Sequence, residues 1–243
     1  MEPCRLYRGG IGTYMIAHRV VPAVHFFLIS AFIVAGVVAC FHYLVAEEKS
    51  APVKTRLLVK PDRSLVQLGI LAFCCMVCEG AMFDWSGIYF QKVVNAEQGW
   101  IGAGYTAFMC TMAAGRFVAD RIANRWNFAT TLMASGVLIA TGLTIAVVFP
   151  YVFSAALGFL IVGLGVSSVI PLVYSEAGKS KTTSPGMALT AVSSIGFLGF
   201  LIGPPLIGVI AGLFDLRVSF ILIAAIGLFI AVFARLVMRR QIS

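Results

Sequence analysis

Two acidic side chains lie inside a long apolar segment and are the first candidates for chemistry. Glu79 and Asp84 are the only charged residues between Ser64 and Phe90. A charged group at the centre of a bilayer costs at least about 2.5–3.5 kcal/mol when it faces lipid, so such residues usually face the protein interior and mark functional sites. Glu79 is therefore a candidate for carrying coupling protons or contacting a substrate. The alternative is a structural hydrogen bond to a neighbouring helix.

Asp84 lies five residues further along the same segment. On a helix with 3.6 residues per turn, the two carboxyl groups point about 140° apart, so they do not form a pair on one face. We predict that Asp84 is an interfacial charge that meets Lys92 or Arg217, and contact with a substrate is its second candidate role.

The densest run of charge in the apolar part of the chain lies at residues 115–126. It contains Arg116, Asp120, Arg121 and Arg125, and charge-free segments flank it on both sides. This pattern predicts a tight aqueous turn between two membrane-spanning helices. The charges either hold the turn in the cytosol or act as a latch, in which Asp120 pairs with Arg121 or Arg125 in one conformational state.

Residues 186–213 combine hydroxyl groups with two adjacent prolines. Thr190 and Ser194 can hydrogen-bond a substrate, although such hydroxyls also bond their own helix backbone. Pro204 and Pro205 have no backbone N–H and should kink a helix, which makes them a candidate hinge.

The six cysteines indicate neither a metal site nor a disulfide framework. Cys74, Cys75 and Cys78 lie close together, but three thiols without a histidine or a fourth ligand make a poor zinc site in a hydrophobic span. Packing is their favoured role. We expect no metal and no other cofactor.

These residues must be positioned by helices that span a bilayer. Of the 243 residues, 60% are hydrophobic and only 12% are charged, and the mean hydropathy is +0.97. Several charge-free runs of span length predict an all-α, polytopic membrane protein with seven transmembrane helices. The predicted helices are Val20–Val45, Ser64–Phe90, Trp100–Ala119, Asn127–Phe149, Tyr151–Tyr174, Gly186–Leu213 and Val218–Val237.

The distribution of charge predicts the orientation of these helices. The net charge is +8, but the basic residues cluster at the ends of apolar runs, and no basic face with interleaved aromatics indicates nucleic acid. With alternating helices, one side receives thirteen lysines and arginines, and we expect this side, with the C-terminus, to be cytoplasmic. An aromatic belt on the other side would comprise Trp85, Tyr89, Trp100 and Tyr151.

The order of these features resembles the second half of a major facilitator superfamily transporter. The cytoplasmic turn after the second helix of each half in this family usually reads Gly-x-x-x-Asp-Arg-x-Gly-Arg-Arg. Asp120, Arg121 and Arg125 match it, whereas Arg116 takes the first glycine position and Ala123 replaces the middle glycine.

A second segment supports the same resemblance. Gly203–Gly208, with Pro204 and Pro205, is similar to the Gly-Pro segment common in the eleventh helix of these carriers. The resemblance implies that residues 1–19 are a remnant or tail, 20–45 the sixth helix, 46–63 the cytoplasmic linker, 64–238 a six-helix C-terminal half and 239–243 a cytoplasmic tail.

The resemblance also implies a function. It predicts secondary active transport of a small solute by alternating access, in a truncated or half-size permease of the bacterial inner membrane. Glu79, Asp84, Thr190 and Ser194 would contact substrate or coupling protons. Because substrate sites in this fold lie between two halves, the missing N-terminal half or another copy would be needed.

Two other classes of function fit the sequence less well. A seven-helix receptor or sensor is the alternative, because the helix count fits and Asp120-Arg121 stands at the inner end of the third helix. The short outer loops and the absence of a lysine in residues 218–237 count against it. An enzyme is not expected, since no motif of an intramembrane active site occurs.

Overall fold

The computed structural model describes residues 22–41, 62–125, 127–180 and 182–242, with the backbone alone at positions 22, 25, 119–125 and 237–242. These residues are helical apart from short connections, and no strand occurs among them. The predicted all-α class is therefore confirmed. The chain separates into two compact units, Met1–Lys60 and Pro61–Ser243.

Each predicted helix corresponds to one α-helix of the described residues. The first unit contains α1, Pro22–Cys40. The second unit contains α2 Arg63–Lys92, α3 Ala103–Arg125, α4 Phe128–Val148, α5 Val152–Gly178, α6 Pro185–Leu213 and α7 Leu216–Ile242, with a short 3-10 turn at Gln98–Trp100 between α2 and α3.

Five of the described helices are long and apolar enough to cross a membrane, namely α2, α4, α5, α6 and α7. In α1, the segment Phe26–Cys40 is a shorter apolar helix. Helix α3 carries Arg116 near its middle and is not among the five. The length and composition of the helices thus agree with a polytopic membrane protein.

The charged segment at residues 115–126 departs from its prediction. It does not form a turn but continues α3 as far as Arg125. Residues 116–125 contain neither glycine nor proline, so nothing in their backbone interrupts the helix. The break comes at Asn127, whose side chain caps α4 by accepting a hydrogen bond from the Thr130 N–H at 2.8 Å.

Glycines allow the helices of the second unit to approach closely. Helix α2 packs against α6, and α4 packs against α5 and α7. A Cβ placed on Gly203 would lie 3.0 Å from the Val77 carbonyl oxygen of α2. Gly142 and Gly158 face each other's carbonyl groups between α4 and α5. Because a larger side chain would meet backbone atoms, these glycines determine the separation of the helices.

An aromatic cluster fills the core of the second unit. Tyr89, Phe159 and Phe220 are fully buried, and the Tyr89 ring centroid lies 5.8 Å and 4.3 Å from those of Phe159 and Phe220. The Tyr89 hydroxyl donates a hydrogen bond to the Ala146 carbonyl at 2.9 Å. In a continuous helix that carbonyl would accept from residue 150, which is Pro150 and has no N–H. The prediction that Tyr89 belongs to an aromatic belt is therefore wrong.

Candidate functional site

The structure joins Glu79 of α2 to Arg116 of α3. Arg116 Nη2 donates to Glu79 Oε1 at 3.2 Å, which makes an ion pair across the two helices. The Glu79 side chain is 8% exposed, whereas that of Arg116 is 48% exposed. The pair is therefore asymmetric: the carboxylate is enclosed by protein, and half of the cationic side chain remains accessible.

The pair lies near the middle depth of the helices. Glu79 precedes Lys92, the end of α2, by thirteen residues, and Arg116 follows Ala103, the start of α3, by thirteen residues. At 1.5 Å per residue, both side chains lie about 20 Å along their helices from the α2–α3 connection. This equal spacing is the signal in the sequence that could have predicted the pairing.

One oxygen of Glu79 is without a hydrogen-bond partner in the described part of the chain. Glu79 Oε2 is buried and makes no hydrogen bond with any of the residues that the structure describes. Arg116 Nη2 makes its second contact with Met112 Sδ, at 4.0 Å. The carboxylate is thus held through a single charge-assisted hydrogen bond, and its second oxygen is available to another donor or to a proton.

The position of Arg116 corrects the interpretation of the charged segment. The sequence pattern placed Arg116 in a cytoplasmic turn, as an additional member of the gating motif. It lies nine residues before Arg125, or about 14 Å along the helix, and its guanidinium group bonds Glu79 instead. Its neighbour Gly115 packs against Ser167 of α5, which holds this part of α3 close to α5.

The structure does not test the predicted latch role of the other residues of the gating motif. Asp120, Arg121 and Arg125 belong to the last turns of α3. Their side chains lie outside the described residues, so the latch stays a prediction.

Asp84 is exposed and forms no ion pair with Lys92 or Arg217, whose side chains are described. The prediction that Asp84 meets Lys92 or Arg217 is therefore wrong. Asp84 instead lines a groove between α2 and α6, together with Trp85 and Pro204.

The hydroxyl candidates on α6 do not meet the ion pair. Thr190 and Ser194 are exposed, and Thr190 Oγ1 donates to the Gly186 carbonyl of its own helix at 2.8 Å. Ser193 likewise donates to the Thr190 carbonyl, at 3.1 Å. These bonds agree with the alternative of bonding to the helix backbone. Pro204 and Pro205 lie within α6, which is helical on both sides of them.

The three neighbouring cysteines are buried free thiols among the apolar residues of α2. Within the described residues, no group of three or more His, Cys, Asp or Glu side chains is arranged to hold a metal ion. The prediction of a packing role agrees with the burial of Cys74, Cys75 and Cys78.

These features define a class of protein: a polytopic helical membrane protein with an ion pair between two helices at mid-depth. The sequence matches the Major Facilitator Superfamily over residues 9–184. The chain belongs to this superfamily of membrane transporters, which confirms the family predicted from the charged motif.

Curated relatives agree with this assignment. The chain is 36% identical over 167 residues to membrane protein MosC of Rhizobium meliloti, covering 69% of this chain and 41% of that protein. It is 33% identical over 183 residues to an uncharacterized MFS-type transporter of Yersinia pestis, covering 75% and 48%. A third relative, an uncharacterized transporter of Sinorhizobium fredii, is 28% identical over 231 residues, covering 93% and 60%. The chain thus spans about half the length of these relatives.

A solved structure shows the same fold. The crystal structure of the POT family transporter PepTSo matches with a TM-score of 0.62 and 15% sequence identity, over 75% of this chain and 38% of that one. None of these matches supports the receptor alternative.

Proposed function

We propose that this chain forms one half of a secondary transporter that moves a small solute by alternating access, and that the Glu79–Arg116 ion pair changes between its states. One observation carries the proposal. A buried carboxylate at mid-depth is held through a single oxygen by a half-exposed guanidinium group of the neighbouring helix.

The exposure of Arg116 supports an aqueous pathway beside the pair. A cationic side chain at mid-depth is strongly disfavoured in hydrocarbon, and this one is too far from either helix end to reach the interface easily. Its accessible half therefore faces water or another protein surface. In carriers of this fold, the substrate pathway runs between the two halves of the protein at this depth.

The single bond of Glu79 supports a role in proton coupling. A proton can bind the free Oε2 atom without displacing an existing hydrogen bond. Once the carboxyl group is neutral, its Coulomb attraction for Arg116 disappears, and the guanidinium group becomes free to bind elsewhere. Proton binding would thus release α3 from α2 at one point and favour a different arrangement of the two helices.

The remaining predicted residues have supporting roles in this proposal. Asp120, Arg121 and Arg125 form the cytoplasmic latch, and Pro204 and Pro205 form the hinge in α6. Thr190 and Ser194 are kept as candidate substrate contacts on α6.

A second half completes the carrier. Substrate sites of this fold lie between two six-helix halves, and this chain covers 41–60% of the length of its relatives. We propose that either the N-terminal half or another copy of the chain forms the opposite wall. We also propose that the chain lies in the inner membrane of a bacterium with its C-terminus in the cytoplasm. The excess of lysine and arginine on one predicted side of the membrane supports this orientation.

Transport can be tested in inside-out vesicles from bacteria that produce the chain. A fluorescent weak base reports the pH gradient while sugars, amino acids, organic anions and organic cations are added one at a time. We expect at least one solute to dissipate the gradient in vesicles with the chain and not in empty vesicles. The Glu79→Gln variant should insert to the same level and lose this response.

Glu176→Gln is the matched control for this experiment. Glu176 also pairs with a basic side chain, Lys179 at 3.1 Å, but this pair is exposed at the end of α5. Its loss should leave the response intact. A response of equal size in the Glu79→Gln vesicles would exclude Glu79 from coupling, and no response to any solute would contradict transport by the chain in this form.

The molar mass of the purified protein tests whether another copy of the chain supplies the second half. Light scattering in detergent should give a dimer if another copy forms the opposite wall. A monomer that regains transport when it is produced together with an N-terminal half would identify that half as the partner instead.

A further inference from the structure

The groove between α2 and α6 lies apart from the Glu79–Arg116 pair and has its own chemistry. Its volume is about 520 Å³, within the range of about 300–1,000 Å³ of ligand pockets. All but one of its lining side chains are apolar or aromatic. The lining residues are Asp84, Trp85, Ile88, Phe200, Leu201, Pro204 and Pro205.

Close packing of the two helices builds the floor and one wall of the groove. A Cβ on Gly80 of α2 would lie 3.1 Å from the Phe200 carbonyl oxygen of α6, so the backbones nearly touch there. On the other side, Gly208 leaves room for the Trp85 ring, since a Cβ on Gly208 would lie 3.0 Å from it. The Trp85 indole N–H donates to the Pro204 carbonyl at 3.1 Å, which fixes the ring in position. The groove is therefore preformed.

The side chains that line the groove offer no free hydrogen-bond donor. Pro204 and Pro205 have no backbone N–H, so the Phe200 and Leu201 carbonyls lack the donors that a continuous helix would supply. The one side-chain N–H of the lining, that of Trp85, is already used. An anion would find no free side-chain donor in this lining, whereas a cation would find the Asp84 carboxylate and an aromatic ring.

Asp84 supplies the charge. It is exposed, and no lysine or arginine among the described side chains lies within ion-pair distance of it. A carboxylate beside apolar walls in a membrane span is stabilised by a cationic partner. A single carboxylate cannot hold an inorganic divalent ion, which requires several oxygen ligands. The apolar walls instead suit a cation with a hydrophobic body.

We propose that this groove binds a lipophilic organic monocation, with its charged nitrogen at Asp84 and its apolar body against Ile88, Leu201 and Pro205. The assignment deepens the proposed function, because it names the class of solute that the carrier would move, and it rests on that function only for transport. Binding itself can be measured on the purified chain without transport.

Fluorescence anisotropy of rhodamine 6G, a lipophilic cationic dye, tests the proposal on the full chain in lipid nanodiscs, with empty nanodiscs as the background. We expect saturable binding, and we expect Asp84→Asn to raise the Kd at least tenfold. Sulforhodamine B, which has the same xanthene core and a net negative charge, should not bind.

Two further variants test whether binding depends on the charge at position 84 in particular and on the space in the groove. Glu97→Gln removes an exposed carboxylate near the same ends of α2 and α3 and should leave the Kd unchanged. Leu201→Trp fills the groove from a position that is 70% exposed, so it should weaken binding without a change of charge and without disturbing the core. An unchanged Kd in Asp84→Asn, an equal loss in Glu97→Gln, or binding of sulforhodamine B would overturn the proposal.

The outcome separates this inference from the proposed function. If Asp84→Asn binds the dye normally while Glu79→Gln abolishes proton-coupled transport, only the groove assignment fails. If Asp84→Asn loses the dye while no solute dissipates a pH gradient, the groove assignment stands and the transport proposal fails.

Discussion

Replacing Arg116 by glutamine should destabilise the second unit more than replacing Glu79 by glutamine, although both changes break the same ion pair. The two partners differ in what the substitution leaves behind. Without Arg116, an enclosed carboxylate remains, and neither of its oxygens has a partner among the described residues. Without Glu79, a side chain that is 48% exposed remains, and water can solvate much of it.

The magnitudes follow from this asymmetry. A buried group left without its partner costs about 1–3 kcal/mol. A pair that is screened by solvent on one side contributes no more than about 1 kcal/mol, which is the expected cost of Glu79→Gln. For a unit of this size, about 2 kcal/mol corresponds to a fall in Tm of about 4–8 °C. The double variant should resemble Glu79→Gln, because it leaves no unpaired charge.

Buried thiols provide the assay. Cys74, Cys75 and Cys78 are buried, so a dye that fluoresces on reaction with thiols reports thermal unfolding in detergent. The exposed Cys40 and Cys110 react at the start and set the baseline.

The cost of Arg116→Gln should also depend on pH. At about pH 8 the unfolded carboxyl group is ionised, so folding must either enclose an unpaired carboxylate or bind a proton, and both cost free energy. Toward the acidic range the unfolded carboxyl group itself gains a proton, and this cost fades. The fall in Tm relative to the unsubstituted protein should thus be larger at about pH 8 than at about pH 5. Equal losses for the two single variants, or a loss that does not change with pH, would refute the reasoning.

Two further predictions test the packing of the second unit. Tyr89→Phe keeps the ring packing but removes the donor of the Ala146 carbonyl, so it should lower the free energy of unfolding by about 1 kcal/mol. The same thiol assay measures this loss. An unchanged Tm would show that another donor replaces the hydroxyl. Gly158→Leu should prevent the close contact of α4 and α5 and abolish the folded, monodisperse protein in size-exclusion chromatography. Gly212→Ala, where a Cβ meets nothing within 4 Å, should elute unchanged, and a well-folded Gly158→Leu protein would contradict the packing described for α4 and α5.

Local patterns in the sequence predicted most of the helices of the fold. Each predicted helix matches a helix of the described residues, because charge-free runs of span length admit few other structures in a bilayer. The charged segment ending at Arg125 differs from its prediction because a run of charges does not by itself end a helix. Helix continuation depends instead on backbone chemistry, and glycine and proline are absent from residues 116–125.

The candidate site was predicted only in part. The free-energy cost of a charge in a membrane predicts a functional site at Glu79, and the structure gives this carboxylate a partner at 3.2 Å. The sequence pattern assigns that partner, Arg116, to the gating motif instead. The sequence predicts an aromatic belt that includes Tyr89, whereas Tyr89 fills the core and donates to a carbonyl that Pro150 leaves without a helical donor.

The sequence by itself determined the class of the protein, its helices and the presence of an ionisable group at mid-depth. These properties depend on composition and on the spacing of residues along one segment, which are local. Only the tertiary structure decided that Arg116 meets Glu79, that one carboxylate oxygen has no partner among the described residues, and that Asp84 lines a groove between α2 and α6. The physical reason is that these contacts depend on the rotation and separation of helices distant in sequence, which glycine contacts and core side chains set together.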